Sequence, residues 1–215
     1  MTQVLSNFWP RLVLASTSPY RRELLARLRW PFDVVAPAVD EAAMPGESPA
    51  VLSERLAWAK ARAVASLADD DVLVIGSDQV ADLDGEALGK PGDHARAVAQ
   101  WRAMRGRSVV FHTAVCVLRP RTGFEACVRV PVQVRCRSLS DAHIEAYLRL
   151  EQPYDCAGSA KCETLGISLL DAIEATDPTA LVGLPLIATT ALMRQAGADP
   201  LQRLVEQSQQ EATHG

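Results

Sequence analysis

Apolar and polar positions fall in blocks of two different periods along this chain. "RLVLA" at 11–15 is a short apolar run closed by a small-residue turn, and it predicts a buried strand. A helix over 19–29 follows, with Ser18 as N-cap and Pro19 as its first residue. "FDVVA" predicts a second strand. From Ser48, a second N-cap before Pro49, apolar residues recur at Leu52, Leu56, Val64 and Leu67, the stripe of a long helix. "VLVIG" at 72–76 is a continuous apolar run ending in glycine, the pattern of a buried parallel strand. This βαβαβ order opens an α/β sheet.

The pattern then changes. "QVADLDGEAL" places an Asp-Gly pair between two short extended runs, which predicts a hairpin. A helix over 93–105 ends at Gly106. "SVVFHTAVCVL" and "FEACVRVPVQVRC" flank "RPRTG" and predict two long antiparallel strands. "SDAHIEAYLRL" predicts a helix capped by Ser140, "GISLL" a short strand, and "LPLIATTALMRQAG" a last helix stopped by Gly197 and Pro200. Residues 1–9 are expected to be a loose arm and 201–215 a polar tail, leaving 1–200 as one domain. The fold class is α/β, a mixed twisted sheet in two lobes with a central cleft.

Composition narrows the function. The net charge of −4 over 215 residues argues against a nucleic-acid or anionic-membrane coat, so any phosphate site must be local. No run approaches the ~18 to 20 apolar residues of a membrane span, and no basic-then-apolar leader opens the chain, so a cytoplasmic protein is expected. The five cysteines form no C-x-x-C pair and are expected to be reduced thiols.

Against this background, Arg21 and Arg22 stand out. The first turn of a helix carries partial positive charge and disfavours cations unless an anion arrives. Free N–H groups there, together with guanidinium forks, match phosphate oxygens. The alternative is that both arginines face solvent, and the stretch alone leaves that open. Asp78, in "GSDQV", is expected just past the carboxyl end of a buried strand, where open α/β sheets bind ligands. Asp40 and Glu41 follow the second strand. Arginines beside carboxylates make a phosphoanhydride site with an oxygen-ligated divalent ion, Mg²⁺ or Mn²⁺. Lys60, four residues from both Leu56 and Val64, lies on the apolar stripe; it either snorkels or reaches a phosphate. Lys90 precedes Pro91 and is held extended. His112 and Cys116 share one strand face, a weak hint of a Cys–His hydrolase, and "DP" at 177–178 looks like a turn starting a short helix.

Together, "LASTSPYRRELL", "VDE", Lys60 of "LAWAKARAV", "GSDQV", "GKP" and "YDCAGSAKCETLGISLL" followed by "LVGLPL" resemble the Maf family of nucleotide pyrophosphatases over roughly residues 11–200. The resemblance implies a fold related to inosine-triphosphate pyrophosphatases. It implies hydrolysis of a nucleoside triphosphate between the α- and β-phosphates, with a divalent metal. It makes Asp78 the residue that activates water. Ser16, Arg21, Lys60 and Lys90 would be phosphate ligands, joined by Ser18 and Arg22 from the reading of the helix start, and Glu41 and Asp78 would be metal ligands. Tyr20, Gln79 and Glu163 are similar to the base-selecting positions of the branch acting on 7-methyl-GTP, although Tyr20 stands where that branch often has Trp. The cation of 7-methylguanine suits an aromatic face, and a carboxylate at Glu163 accepts both donors of the guanine edge. The alternatives are a pyrophosphatase for dTTP, UTP or another modified nucleotide, and a nucleotide-binding regulator of septum formation. The expected partner is a small-molecule nucleotide, with no nucleic acid and no membrane; a homodimer is compatible with the family.

Overall fold

The computed structural model describes residues 9–67 and 70–214. Most of the loose arm expected over 1–9 lies outside the described residues. Trp9, at its end, packs edge-on against Trp30 with ring centroids 5.6 Å apart.

The described residues form a seven-stranded mixed sheet. Strands β1 (Arg11–Ala15), β2 (Phe32–Val35) and β3 (Val72–Leu83) are parallel in the order β2-β1-β3, joined by helices α1 (Pro19–Ala26) and α2 (Pro49–Ala65). The Asp-Gly turn folds β4 (Glu86–Leu88) back on β3 as expected, with Asp84 and Gly85 both at positive φ. After α3 (His94–Met104), the long strands β5 (Ser108–Arg119) and β6 (Phe124–Cys136) extend the sheet antiparallel. Helix α4 (Asp141–Glu151) carries the N-cap Ser140, and β7 (Leu170–Ala175) closes the far edge. Helices α5 (Leu186–Gln195) and α6 (Pro200–His214) end the chain.

Because β3, β5 and β6 are long, they run through two cores. At one end, α1 and α5 cover one face around Leu14, Leu24 and Ile75, and α2 covers the other around Ala57, Ala61 and Val74. At the other end, α3 and α4 bury Trp101, Phe111, Val132 and Ile144. The expected two lobes are thus two ends of one sheet, and the cleft opens between them.

Four expectations need correction. The strand "VLVIG" does not stop at Gly76 but continues to Leu83, so Asp78 sits in mid-strand. Its exposure to the cleft arises because neighbouring β1 stops at Ala15, opposite Gly76. "GISLL" is mostly a 3-10 turn over Leu165–Leu169, and the strand begins only at Leu170. The expected polar tail is the helix α6, tied back by Trp9 Nε1 donating to Glu206 and by the Arg203 guanidinium over Trp30. Finally, Cys116 and Cys127 are not free thiols. The β5–β6 register sets them directly opposite with Cα atoms 4.0 Å apart, and they form a disulfide.

Candidate active site

A cleft of about 560 Å³ lies between the two ends of the sheet, in the size range of small-molecule sites. Gly76 explains how its centre is built. A Cβ there would come within 2.6 Å of the Ala57 carbonyl oxygen and the Ala61 nitrogen, so only glycine lets α2 approach β3 this closely. That approach carries Lys60, one helical step before Ala61, onto Asp78, two residues along the strand. Lys60 is 5% exposed and Asp78 6%. Lys60 Nζ donates to Asp78 Oδ1 at 2.6 Å and pairs with Glu41 Oε1 at 2.6 Å. The stripe position of Lys60 therefore points inward, and its partners are carboxylates. Asp78 Oδ2 has no protein partner among the described residues and is reached by solvent in the cleft.

Glu41 comes from the loop after β2. Arg55 of α2 anchors that loop with a bidentate bond to Glu47 and a bond to the Ala42 carbonyl. The Arg55 bonds, helped by the Met44 N–H, draw the Glu47 carboxyl down to about 2. Burial pushes the Glu41 carboxyl up, but the bond and charge of Lys60 outweigh it, with Lys90 and Arg21 adding, and the net shift is downward. A carboxyl held low in the fold contributes stability that is present above its unfolded pKa and is lost as pH falls through its folded pKa. Glu41→Gln is therefore expected to unfold at lower urea than wild type at pH 7, with the gap closing below about pH 4. A gap that stays constant down to about pH 3 would show that the Lys60 pairing does not set the ionisation of Glu41.

The two arginines part company. Arg21 turns into the cleft, where its Nε donates to the Gly183 carbonyl at 2.9 Å; burial lowers its pKa, and the charges of Asp78 and Glu41 oppose that only in part. Arg22 is exposed and faces a separate shallow depression beside Glu23 and Asp33. The structure thus places it outside the cleft in which the phosphate ligands were expected, because consecutive helical residues point about 100° apart. Ser16 and Ser18 line the cleft, and each also serves the local backbone. Ser16 Oγ accepts from Ser18 N–H at 3.1 Å, and Ser18 Oγ caps α1 by accepting from Arg21 N–H. Lys90 lines the cleft and is exposed. Asp40 is exposed and accepts from Ala42 N–H instead of joining the centre.

The far end of the cleft brings Tyr20 and Glu163 together. The Cys156 thiol donates to Tyr20 Oη at 3.7 Å, and burial, with help from that contact, raises the Tyr20 pKa and keeps the phenol neutral. Glu163 is exposed on the cleft wall, with the Cys162 thiol 3.5 Å from its carboxylate. Burial pushes the Cys156 thiol up to about 11 and the Cys162 thiol to about 12, so both stay protonated. The loop bearing Glu163 is pinned at several points. Trp101 Nε1 donates to the Ser159 carbonyl at 2.9 Å, Lys161 N–H to Tyr147 Oη at 3.0 Å, and Thr164 Oγ1 to Glu151 at 2.8 Å. Gln79 also reaches the cleft, but its Nε2 is spent on Thr113 Oγ1 and on the carbonyls of Ala180 and Leu181.

Other expectations resolve plainly. His112 bonds Asp82 and Arg129, while Cys116 is held in the disulfide, so these two residues form no Cys–His pair. Among the described residues, no group of three His, Cys, Asp or Glu side chains converges as a metal cage, and no helix is long and apolar enough to cross a membrane. Ser77, Thr113, Trp101 and Tyr147 carry no signal of their place beside the cleft in the sequence, and Asp177 shows there only as a turn residue.

The geometry supports phosphoryl chemistry. A carboxylate with a free oxygen faces the cleft near a fixed guanidinium, while a neutral aromatic and a carboxylate stand at the other end. The family model described as Maf-like protein matches residues 11–196. A protein named 7-methyl-GTP pyrophosphatase from Albidiferax ferrireducens is 64% identical over 187 residues, covering 87% of this chain and 94% of the other. Proteins of the same name from Burkholderia pseudomallei (60% over 190 residues; 87% and 88% covered) and Thiobacillus denitrificans (59% over 192 residues; 89% and 95%) are also similar. Among solved structures, a nucleoside-triphosphatase / dITP/XTP pyrophosphatase from Mycobacterium abscessus shows a loose likeness. It is 20% identical with a TM-score of 0.39, over 60% of this chain and 75% of the other.

Proposed function

The chain belongs to the Maf-like protein family, and from that membership we propose that it hydrolyses nucleoside triphosphates at the α–β phosphoanhydride, with 7-methyl-GTP as substrate. The observation that carries the reading is Asp78. It is a nearly buried carboxylate, held by Lys60 through one oxygen and free at the other, in the same cleft as Arg21. A carboxylate so placed can take the proton of an attacking water. Arg21 and Lys90 oppose the negative charge that grows on the leaving pyrophosphate. Neither cleft thiol is set up as a covalent nucleophile: Cys156 and Cys162 stay protonated.

The donor set fits an oxygen-ligated divalent cation such as Mg²⁺ or Mn²⁺. Glu41 and Asp78 already clasp one cation, the Lys60 ammonium, and with Arg21 the inner charges balance, so a triphosphate tail needs further positive charge. Mg²⁺ commonly binds through one or two carboxylates plus substrate phosphates, so Glu41 and Asp78 would suffice to hold it. When bound, it would polarise the phosphoryl oxygens.

Base choice falls to Tyr20 and Glu163. The Tyr20 ring stays neutral and presents a π face to a cationic base, worth ~0.5 to 2 kcal/mol depending on water exclusion. Glu163 accepts the two N–H donors of the guanine edge, whereas pyrimidine carbonyls would meet its charge with repulsion. A cytoplasmic setting, where nucleotide pools reside, belongs to this reading.

The test is the ratio of specificity constants for 7-methyl-GTP and UTP. Glu163→Gln is expected to lower activity on 7-methyl-GTP by about 10- to 100-fold, the worth of a charge-assisted bond, with UTP falling far less or rising. An equal fall for both substrates would remove Glu163 from base selection and leave the substrate assignment without its physical basis.

A further inference from the structure

Asp177 is 2% exposed and lies outside the centre formed by Lys60, Asp78 and Glu41. Its carboxylate gathers four donors. Oδ1 accepts from the Thr179 N–H at 3.1 Å and the Thr179 hydroxyl at 2.7 Å. Oδ2 accepts from the N–H groups of Ile187 at 2.7 Å and Ala188 at 3.3 Å. Thr179 Oγ1 accepts in turn from the Leu186 N–H at 2.7 Å. One side chain thus caps the N-terminus of α5 and ties together both ends of the loop over 177–187.

That loop presents three backbone carbonyls to the cleft wall, and four side-chain donors end on them. Ala180 accepts from Gln79 and Thr113, and Leu181 accepts from Gln79. Gly183 accepts from Ser77 Oγ at 3.0 Å and Arg21 Nε at 2.9 Å. Gly183 stands at φ +120°, a conformation that side-chain-bearing residues rarely adopt, so the carbonyl that holds Arg21 depends on an unusual backbone shape. Arg21 makes no other side-chain hydrogen bond among the described residues, which leaves its Nη groups free toward the cleft.

We infer that Asp177 is a positioning residue for phosphate recognition: by closing the 177–187 loop it fixes the Gly183 carbonyl, and through it the guanidinium of Arg21. Bidentate recognition of a phosphate depends on the direction of the fork as much as on its charge. A loosened loop keeps the charge and loses the direction. The inference rests on Arg21 as a phosphate ligand in the proposed function.

The experiment is steady-state hydrolysis of 7-methyl-GTP by wild type, Asp177→Asn, Arg21→Ala and the double variant, with thermal unfolding of each. The amide introduced by Asp177→Asn would set its own N–H groups against the N–H donors of Ile187 and Ala188, opening the loop at one end. Asp177→Asn is expected to raise KM about tenfold with kcat within about threefold, the effect of a misdirected charge-assisted bond. In the Arg21→Ala background the same change is expected to alter KM by less than about twofold, because the group it positions is gone. A cap that served only the fold would lower the unfolding temperature and act equally in both backgrounds. If the two KM effects multiply, or if Asp177→Asn leaves KM unchanged, the inference is overturned while the proposed function stands. If Arg21→Ala alone leaves both constants unchanged, the phosphate role of Arg21 falls and the inference with it. Should Asp177→Asn fail to fold, Thr179→Val replaces it. That variant removes one donor to Asp177 and the acceptor for Leu186, and it is expected to raise KM roughly threefold, again only where Arg21 is present.

Discussion

Asp78→Asn is expected to lower turnover by about 10³-fold while leaving the fold intact, within the range that loss of a general base produces. The amide is nearly isosteric, and its oxygen still accepts from Lys60 Nζ, so the buried contact that packs α2 on β3 survives. What disappears is the acceptor for a proton from water. Rapid-quench turnover with 7-methyl-GTP and Mg²⁺, set beside a urea unfolding curve, separates chemistry from stability. A variant within about threefold of wild type, ~0.7 kcal/mol of barrier, would take Asp78 out of the chemical step.

Lys60→Met is expected to strike both stability and activity. The thioether side chain fills a similar volume on the apolar stripe of α2, but Asp78 and Glu41 are left facing each other without the ammonium between them. Breaking a buried pair from one side costs about 3 to 5 kcal/mol; the low end applies because Glu41 is half exposed. Turnover should fall by about 100-fold or more, since the same ammonium fixes the oxygen geometry of Asp78. Urea midpoints and initial rates measure the two effects. An unchanged midpoint would mean that Lys60 swings freely into solvent and that the two 2.6 Å contacts are not made in solution.

The sheet was legible where period and turn chemistry agreed. The parallel order of β1, β2 and β3, the Asp-Gly hairpin and the β5–β6 pair all follow from apolar runs bounded by strong breakers. Legibility failed where polar residues are buried with partners supplied from far along the chain. Ser77 and Asp78 read as a break between the strand "VLVIG" and the extended run that begins at Gln79, because an unpaired buried polar group is costly. The two runs are one strand because Gly183 satisfies Ser77, Lys60 satisfies Asp78, and the carbonyls of Ala180 and Leu181 satisfy Gln79. Asp177 was read as a turn for the same reason: its four donors are invisible until the loop closes.

The candidate site was legible as a set of residue types and less so as a geometry. Helical period placed Lys60 on the buried face, and the odd placement of two arginines in a first turn pointed to an anion. Period could not say which arginine turned inward, because that depends on how α1 packs against the 177–187 loop. The Cys116–Cys127 pair was hidden because a cross-strand partner is set by register and not by spacing along the chain. The helix α6 was hidden by a composition rich in Gln and Glu, although Leu201, Leu204 and Val205 already had helical spacing.

The most direct measurement is product identity when 7-methyl-GTP is incubated with the protein and Mg²⁺ or Mn²⁺ and resolved by anion-exchange chromatography. The expected products are 7-methyl-GMP and pyrophosphate in equal amounts, with UTP and dTTP consumed far more slowly. Release of orthophosphate with 7-methyl-GDP would place the cut at the β–γ bond and contradict the proposed reaction.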